Sequence, residues 1–237
     1  MSTDFTPSEL SQLQRKPFKG SHDRATIFGI LDAAVYCHIA YVAQGQPLAT
    51  PMLFWRDGDT LYWHGSARGR AILAHAAGQK VCVTVTHLDG FNLGRSGIAS
   101  SIQFRCVMAF GTTAAITERE EKRRQMTRLI ERKFPGRTAQ QRAISEAELD
   151  AITVIKMPIE EASAKINARG PVETSEDDYN ISIWAGVIPV RMTMGPALAD
   201  ERLVVPSTLP ADLALHYGEG EELDAALTWA AKKSAGD

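Results

Sequence analysis

The chain has 237 residues, 44% of them hydrophobic and 23% charged, which is globular composition and excludes a disordered chain. Its net charge of −2 gives no basic surface for nucleic acid or an anionic membrane. No stretch is apolar for long enough to span a bilayer, residues 1–20 lack the apolar core of a secretory signal, and Cys37, Cys82 and Cys106 form no CxxC pair, so a cytoplasmic protein with reduced thiols is expected.

Residues 1–22 are polar and read as an N-terminal extension. The body is expected over 23–194, and a tail with a short helix over 195–237. From Asp23 to Val35, Ile27, Ile30, Leu31 and Ala34 recur at helical spacing, with Ser21 or Asp23 as cap. Tyr36 to Ala43 and Pro47 to Trp55 are strands around a Gly-containing loop, Gln44-Gly45-Gln46. Thr60 to His64 is a third strand after the turn Asp57-Gly58-Asp59.

A short helix follows over Ala67 to Ala76. Lys80 to His87 is almost pure β-former, and Leu88-Asp89-Gly90 is read as a turn. Asn92 to Ser101 is Gly/Ser-rich and fits a bulged strand or a binding loop. Gln103 to Ile116 is a strand, and Glu118 to Lys133 a helix with a stripe of Met126, Leu129, Ile130 and Phe134. A short helix at Ser145 to Asp150 precedes a β-like run, Ile152 to Ala168, bent at Pro158 or at Glu160-Glu161. An acidic loop over Gly170 to Asn180 leads to a last strand, Val187 to Met194. The tail is Pro-rich, then weakly amphipathic through Leu223, Ala226, Leu227 and Ala230. Six or seven strands at short spacing with few helices predict an antiparallel barrel rather than a doubly wound α/β sheet.

The segment His64-Gly65-Ser66-Ala67-Arg68-Gly69-Arg70 carries the clearest chemistry. A strand ends, a glycine permits a turn, and Ser66 is placed to cap a helix whose free N–H groups attract anions. Arg70 lies four residues on, so a hydroxyl and a planar guanidinium suit a phosphate. The residues alone serve equally as a capped helix with two solvated arginines. Arg95 and Ser96, near Gln103-Phe104-Arg105-Cys106, form a second polar constellation. Trp184 suits either stacking on a planar ligand or core packing. The six histidines show no HxH or HxxxH pair, so no metal site is expected, and no nucleophile motif is present.

Several segments, in this order, resemble the pyridoxamine 5′-phosphate oxidase-like family of flavin mononucleotide (FMN)-binding split barrels: Asp23-Arg24-Ala25-Thr26-Ile27, Tyr62-Trp63-His64-Gly65-Ser66, Val81-Cys82-Val83-Thr84-Val85-Thr86, Leu88-Asp89-Gly90, Arg95-Ser96, 158–165 and 184–189. The branch includes flavin-nucleotide-binding and nitroimidazole-resistance proteins. The resemblance implies a mainly β split barrel with peripheral helices and a homodimer holding FMN at the subunit interface. It places the phosphate on Ser66 and Arg70. It sets the ring near Thr50, Pro51 and Met52 and near Val83, Thr84 and Val85. It brings Gly65 and His64 beside the flavin and Arg95 and Ser96 to its flank, with Trp184 arriving from the other subunit.

The sequence departs from the branch at Gly69, at Ala99-Ser100 and at Cys106, which puts any activity resting on a histidine pair after the Arg-Ser motif in doubt. It also lacks an Arg/His set for pyridoxamine phosphate. The expectation is an FMN-dependent oxidoreductase passing electrons from reduced nicotinamide to a small oxidant such as a nitro compound or quinone, with no protein acid or base identified. A flavin-buffering protein is the first alternative, and a haem-binding barrel with His64 or His87 as axial ligand the second. Nucleic-acid binding by the Arg119 to Arg132 helix is disfavoured by its interleaved glutamates.

Overall fold

Strict alternation sets the early strands. In β2 (Tyr36–Ala43) Cys37, Ile39 and Tyr41 are buried, and Tyr36, His38 and Ala40 face outward. The computed structural model describes residues 4–235. It joins β2 to β3 (Gln46–Asp57) across Gln44 and Gly45, both in the left-handed region at φ 53° and 74°, as a two-residue hairpin requires. Gly58, at φ 55°, turns β3 into β4 (Thr60–Ser66). The remaining strands are β1 (Gly20–Ser21), β5 (Lys80–Leu93), β6 (Ser101–Thr112), β7 (Ala114–Ala115), β8 (Ile152–Pro158), β9 (Glu161–Asn167) and β10 (Gly186–Pro189). Their order across the sheet is β1-β9-β6-β5-β2-β3-β4-β8-β7, all antiparallel, with β10 on β5. The architecture is the expected mainly antiparallel one with peripheral helices. It has ten strands among the described residues rather than six or seven, in an unclosed sheet; the short β1 and β7 were not expected, and the expected run from Ile152 to Ala168 divides into β8 and β9.

The inner face buries Phe54, Leu61, Trp63, Val83, Val85, Val107 and Met157 with Ile27 and Leu31 of α1 (Arg24–Asp32), whose Asp23 cap accepts from the Thr26 N–H at 2.8 Å. Such a core is the dominant favourable term in folding. On the other side, α3 (Arg119–Lys133) covers Trp55, Tyr62 and Val154, and the buried Trp55 indole donates to Gln125 at 3.1 Å. α6 (Leu223–Ala235) lays Ala226, Leu227 and Ala230 against α3 and α1, and Arg132 donates to the Ala231 carbonyl.

Three local expectations are corrected. Leu88-Asp89-Gly90 is no turn: β5 runs through it with a bulge between Leu88 and Gly90. The Asp89 carboxylate there binds the Arg105 guanidinium across to β6, and Gly90 admits the backbone of β10, since a Cβ would lie 2.9 Å from the Ile188 carbonyl. α2 (Arg70–Ala76) starts at Arg70 with Gly69 as its cap, so Ser66 ends β4 and caps no helix. The last strand stops at Pro189, with one further backbone bond from the Val190 N–H to the Asp89 carbonyl at 3.0 Å.

Candidate functional site

The geometry of the site follows from where two strands part. β3 pairs with β4 only from Phe54↔Trp63 to Asp57↔Thr60. Beyond that point β3 pairs only with β2, through Gln46 to Leu53, and β4 only with β8, through His64, Gly65 and Ser66. The facing edges carry unpaired peptide groups, which must find partners. The predicted trio Thr50, Pro51 and Met52 lines one edge of this parting, and His64, Gly65 and Ser66 line the other, with Arg70 a few residues further on.

Across the outer face, one row runs Pro51–His38–Thr84–Met108–Ser163 over β3, β2, β5, β6 and β9. Thr84 is the member of its predicted trio that faces this surface; Val83 and Val85 send their side chains into the core. The face is apolar and open: Tyr36, Leu53 and Met108 are 50, 42 and 42% exposed.

His64 stands at the border of this face and the α3 cover, 6.4 Å from the Trp55 ring. A cleft of about 450 Å³ there is lined by His64, Met126, Arg142, Ile144 and Ile152. Burial lowers the His64 pKa, which keeps the imidazole neutral at pH 7. Its Nδ1 is buried with no hydrogen-bond partner among the described residues, an unused polar atom beside the parting. Gly65 has a packing reason: a Cβ there would meet the Ile72 side chain at 2.7 Å. Ser66 folds back on its own turn, accepting from the Arg68 N–H at 3.3 Å, while the Gly69 N–H donates to the Ser66 carbonyl at 2.8 Å. Arg68 and Arg70 are exposed and have no carboxylate partner among the described residues.

Arg95, Ser96 and Trp184 lie elsewhere. Ser96 and the Arg95 N–H both donate to the buried Glu173 carboxylate, at 3.0 and 2.6 Å, and the Arg95 N–H bond is the main influence holding that carboxyl below its usual range. Trp184, 65% exposed, packs its ring over Gly186 at the start of β10. This cluster sits at the far end of β5, roughly 30 Å along the strand from Thr84. Within one chain it does not meet the parting.

One cavity was not legible in the sequence. It encloses about 640 Å³ and is lined by Tyr36, His38, Val85, Thr86, His87 and Arg105, among others, and by 189–192 and 222–224 of the tail. It exists because two short pairings share one edge of β5. β2 covers that edge through Thr84, and β10 covers it from Gly90, leaving 85–89 between them. None of the three cysteines is a poised nucleophile: burial pushes the Cys37 thiol up to about 12 and raises Cys82 and Cys106. Among the described residues no cluster of His, Cys, Asp or Glu could hold a metal ion, and no helix is long and apolar enough to cross a membrane.

A ten-stranded split sheet with this parting defines the class, and comparison identifies it: the chain belongs to the pyridoxamine 5′-phosphate oxidase family, whose profile matches residues 23–166. Similar solved structures include the flavocytochrome Anf3 of Azotobacter vinelandii, at 33% identity and TM-score 0.83, covering 89% of this chain and 98% of that one. The FAD and heme binding protein of Mycobacterium smegmatis is also 33% identical, with TM-score 0.80, covering 86% and 98%. A putative 5-nitroimidazole antibiotic resistance protein of Bacteroides thetaiotaomicron is 26% identical, with TM-score 0.52, covering 62% and 86%. None of the curated proteins matches the chain.

Proposed function

We propose that this chain is a flavin-binding redox protein of two identical subunits, with the flavin on the outer face where β3 and β4 part. The observation that carries this reading is the parting itself. It offers unpaired strand edges, the unpartnered Nδ1 of His64 and two uncompensated arginines around one opening. The family resemblance implies FMN, and the description of the mycobacterial relative names FAD, so the nucleotide in this reading is one of these two. Both 33% identical relatives are described as carrying haem or as flavocytochromes, and the reading includes a haem beside the flavin.

A bound flavin supplies one- and two-electron transfer. The chain's residues do the rest. The Ser66 hydroxyl and Arg70 guanidinium hold phosphate, and a planar fork suits that geometry. The edge of β3 offers backbone groups to the ring, and neutral His64 offers a hydrogen-bonding nitrogen without adding charge. Arg95, Ser96 and Trp184 reach the flavin of the partner subunit, since they cannot reach their own. Reduced nicotinamide is the donor in this reading, and a small nitro compound or quinone the acceptor.

Purification followed by an absorbance spectrum and mass analysis of the released cofactor tests the reading. Two flavin bands and a stoichiometric nucleotide are expected; a preparation that stays colourless after incubation with FMN and FAD overturns it. Arg70→Ala is expected to weaken flavin binding roughly tenfold or more, as loss of a charge-assisted contact costs about 1.5–3 kcal/mol. Full flavin retention by this variant on dialysis would remove the phosphate assignment and leave the family reading intact.

A further inference from the structure

We propose that the cluster of Lys16, Lys19, Lys165 and Arg169, at the β1 edge of the sheet, binds the phosphates of a nicotinamide dinucleotide and selects its 2′-phosphorylated form. The proposal rests on the nicotinamide donor of the reading above and gives that donor a place and a form.

The N-terminal segment builds the cluster. Lys16, at φ 56°, leads into the single 3-10 turn Pro17–Lys19, and β1 then pairs Gly20 with Lys165 and Ser21 with Ala164 of β9. That register sets Lys19 beside Lys165. The buried Asn167 holds Lys19 in place: its Oδ1 accepts from the Lys19 ammonium, and its Nδ2 donates to the Ile102 carbonyl at 2.6 Å. The Arg169 guanidinium lies over the Phe18 ring at 4.9 Å, and the Lys165 ammonium over the Phe104 ring at 6.0 Å.

Four cations thus share one corner of the fold, and none of them pairs with a carboxylate among the described residues, as Arg24, Arg56, Arg105 and Arg119 do. Glu161, on the same face of β9, is four residues from Lys165, roughly 13 Å along the strand, and accepts from the Ser8 hydroxyl. Burial, and then Lys16, Lys165 and Arg169, lower the Lys19 pKa. Like charges gathered in this way repel, and an anion carrying several charges removes the repulsion. Guanidinium and ammonium groups are phosphate binders. Phe18 is 61% exposed and offers an adenine ring a stacking surface. A 2′-phosphate adds a charge of about −1.5 to −2 near pH 7, which is the reason for the selectivity.

The cluster is also well placed. Lys165 pairs with Cys106, and Cys106 with Thr86, so Lys165 stands two strands, about 10 Å, from the strand that carries Thr84 of the proposed flavin contacts. β1 ends the sheet, which leaves the cluster at the rim of the outer face. The family profile matches residues 23–166, so Lys16, Phe18, Lys19 and Arg169 lie outside it.

The test is isothermal titration of the full-length protein with NADP+ and with NAD+, oxidised forms that bind without turnover, with flavin content measured on the same preparations. Wild type is expected to bind NADP+ at least tenfold more tightly. The double variant Lys16→Ala/Arg169→Ala removes two exposed side chains. It is expected to keep its flavin and its cooperative melt, and to bring the two affinities within about twofold. Equal affinities in wild type, or an undiminished NADP+ preference in the double variant, overturn the assignment and leave the donor reading standing. If wild type binds neither dinucleotide, both fall. Binding of phosphatidylglycerol vesicles through these residues in place of either dinucleotide would make the cluster a membrane contact and likewise overturn the proposal. A stoichiometric flavin in any of these outcomes shows that the flavin reading has not failed with it.

Discussion

At the residue scale, the most consequential buried groups are those the sequence made look ordinary. His75 is fully buried, and its Nδ1 accepts from the Trp63 indole N–H at 3.2 Å, while burial pushes its pKa down to about 4. The unfolded chain, with an ordinary histidine near 6.5, binds a proton between those values that the folded chain refuses. Stability from this residue is therefore complete above pH 6.5 and falls as the pH drops toward 4, by up to about 3 kcal/mol. Urea unfolding at pH 7, 6, 5 and 4.5 should show this acid slope. His75→Gln keeps an acceptor for Trp63 but does not titrate, and it should flatten that part of the slope. An equal slope in both proteins would place the acid sensitivity elsewhere.

At the element scale, the strands and helices that carry their own signals were legible. Gln44-Gly45 and Asp57-Gly58-Asp59 announced two hairpins, and Asp23 and Ser145 sit where capped helices begin. The failures share one cause, which is dependence on residues far away in the chain. Asp89-Gly90 looks like a turn because those residue types favour turns. It is a strand because Arg105 takes the carboxylate and β10, a hundred residues later, needs the missing Cβ. Ser66 looks like a cap because a helix does follow, three residues later than the pattern suggests. The site residues on β3 and β4 were reached through resemblance to a family, since nothing in Thr50-Pro51-Met52 alone marks a ligand edge. The tail cavity carried no sequence signal, because its walls meet only after β10 and α6 dock.

Gly90 tests that dependence. Gly90→Val would press on the Ile188 carbonyl and on Pro189, and is expected to cost about 1–3 kcal/mol through overpacking. It should also release β10. Limited proteolysis would then cut near residues 186–194 faster than in wild type. Unchanged stability together with unchanged protection would show that β10 tolerates the side chain by shifting.

At the scale of the whole molecule, the outer face is where the proposed two-chain assembly would form. Its exposed apolar residues Tyr36, Leu53 and Met108 lie near the proposed flavin site, and such faces mark interaction surfaces. A second copy would close it and carry Arg95, Ser96 and Trp184 to the first copy's flavin. Light scattering should give a mass near twice the 25.9 kDa of the chain. Met108→Glu, a surface change in the single chain, should yield a monomer that melts cooperatively and has lost most of its flavin. A monomeric wild type with full flavin content would remove the two-chain site.

The order of strands across the sheet also sets how the chain finds its shape. β2, β3 and β4 are neighbours both in sequence and in the sheet, and β5 and β6 meet across one short loop. These ladders close small loops and form early. β4 must instead wait for β8, some ninety residues later, and β1 must wait for β9, almost one hundred and fifty residues later. The parting between β3 and β4 thus opens into a half of the sheet completed by late, long-range pairing. During synthesis the proposed flavin edge on β3 is made long before β8 fixes the opposite edge on β4. If the flavin sits at this parting as proposed, its capture would be a late event, timed by the arrival of the second half of the chain.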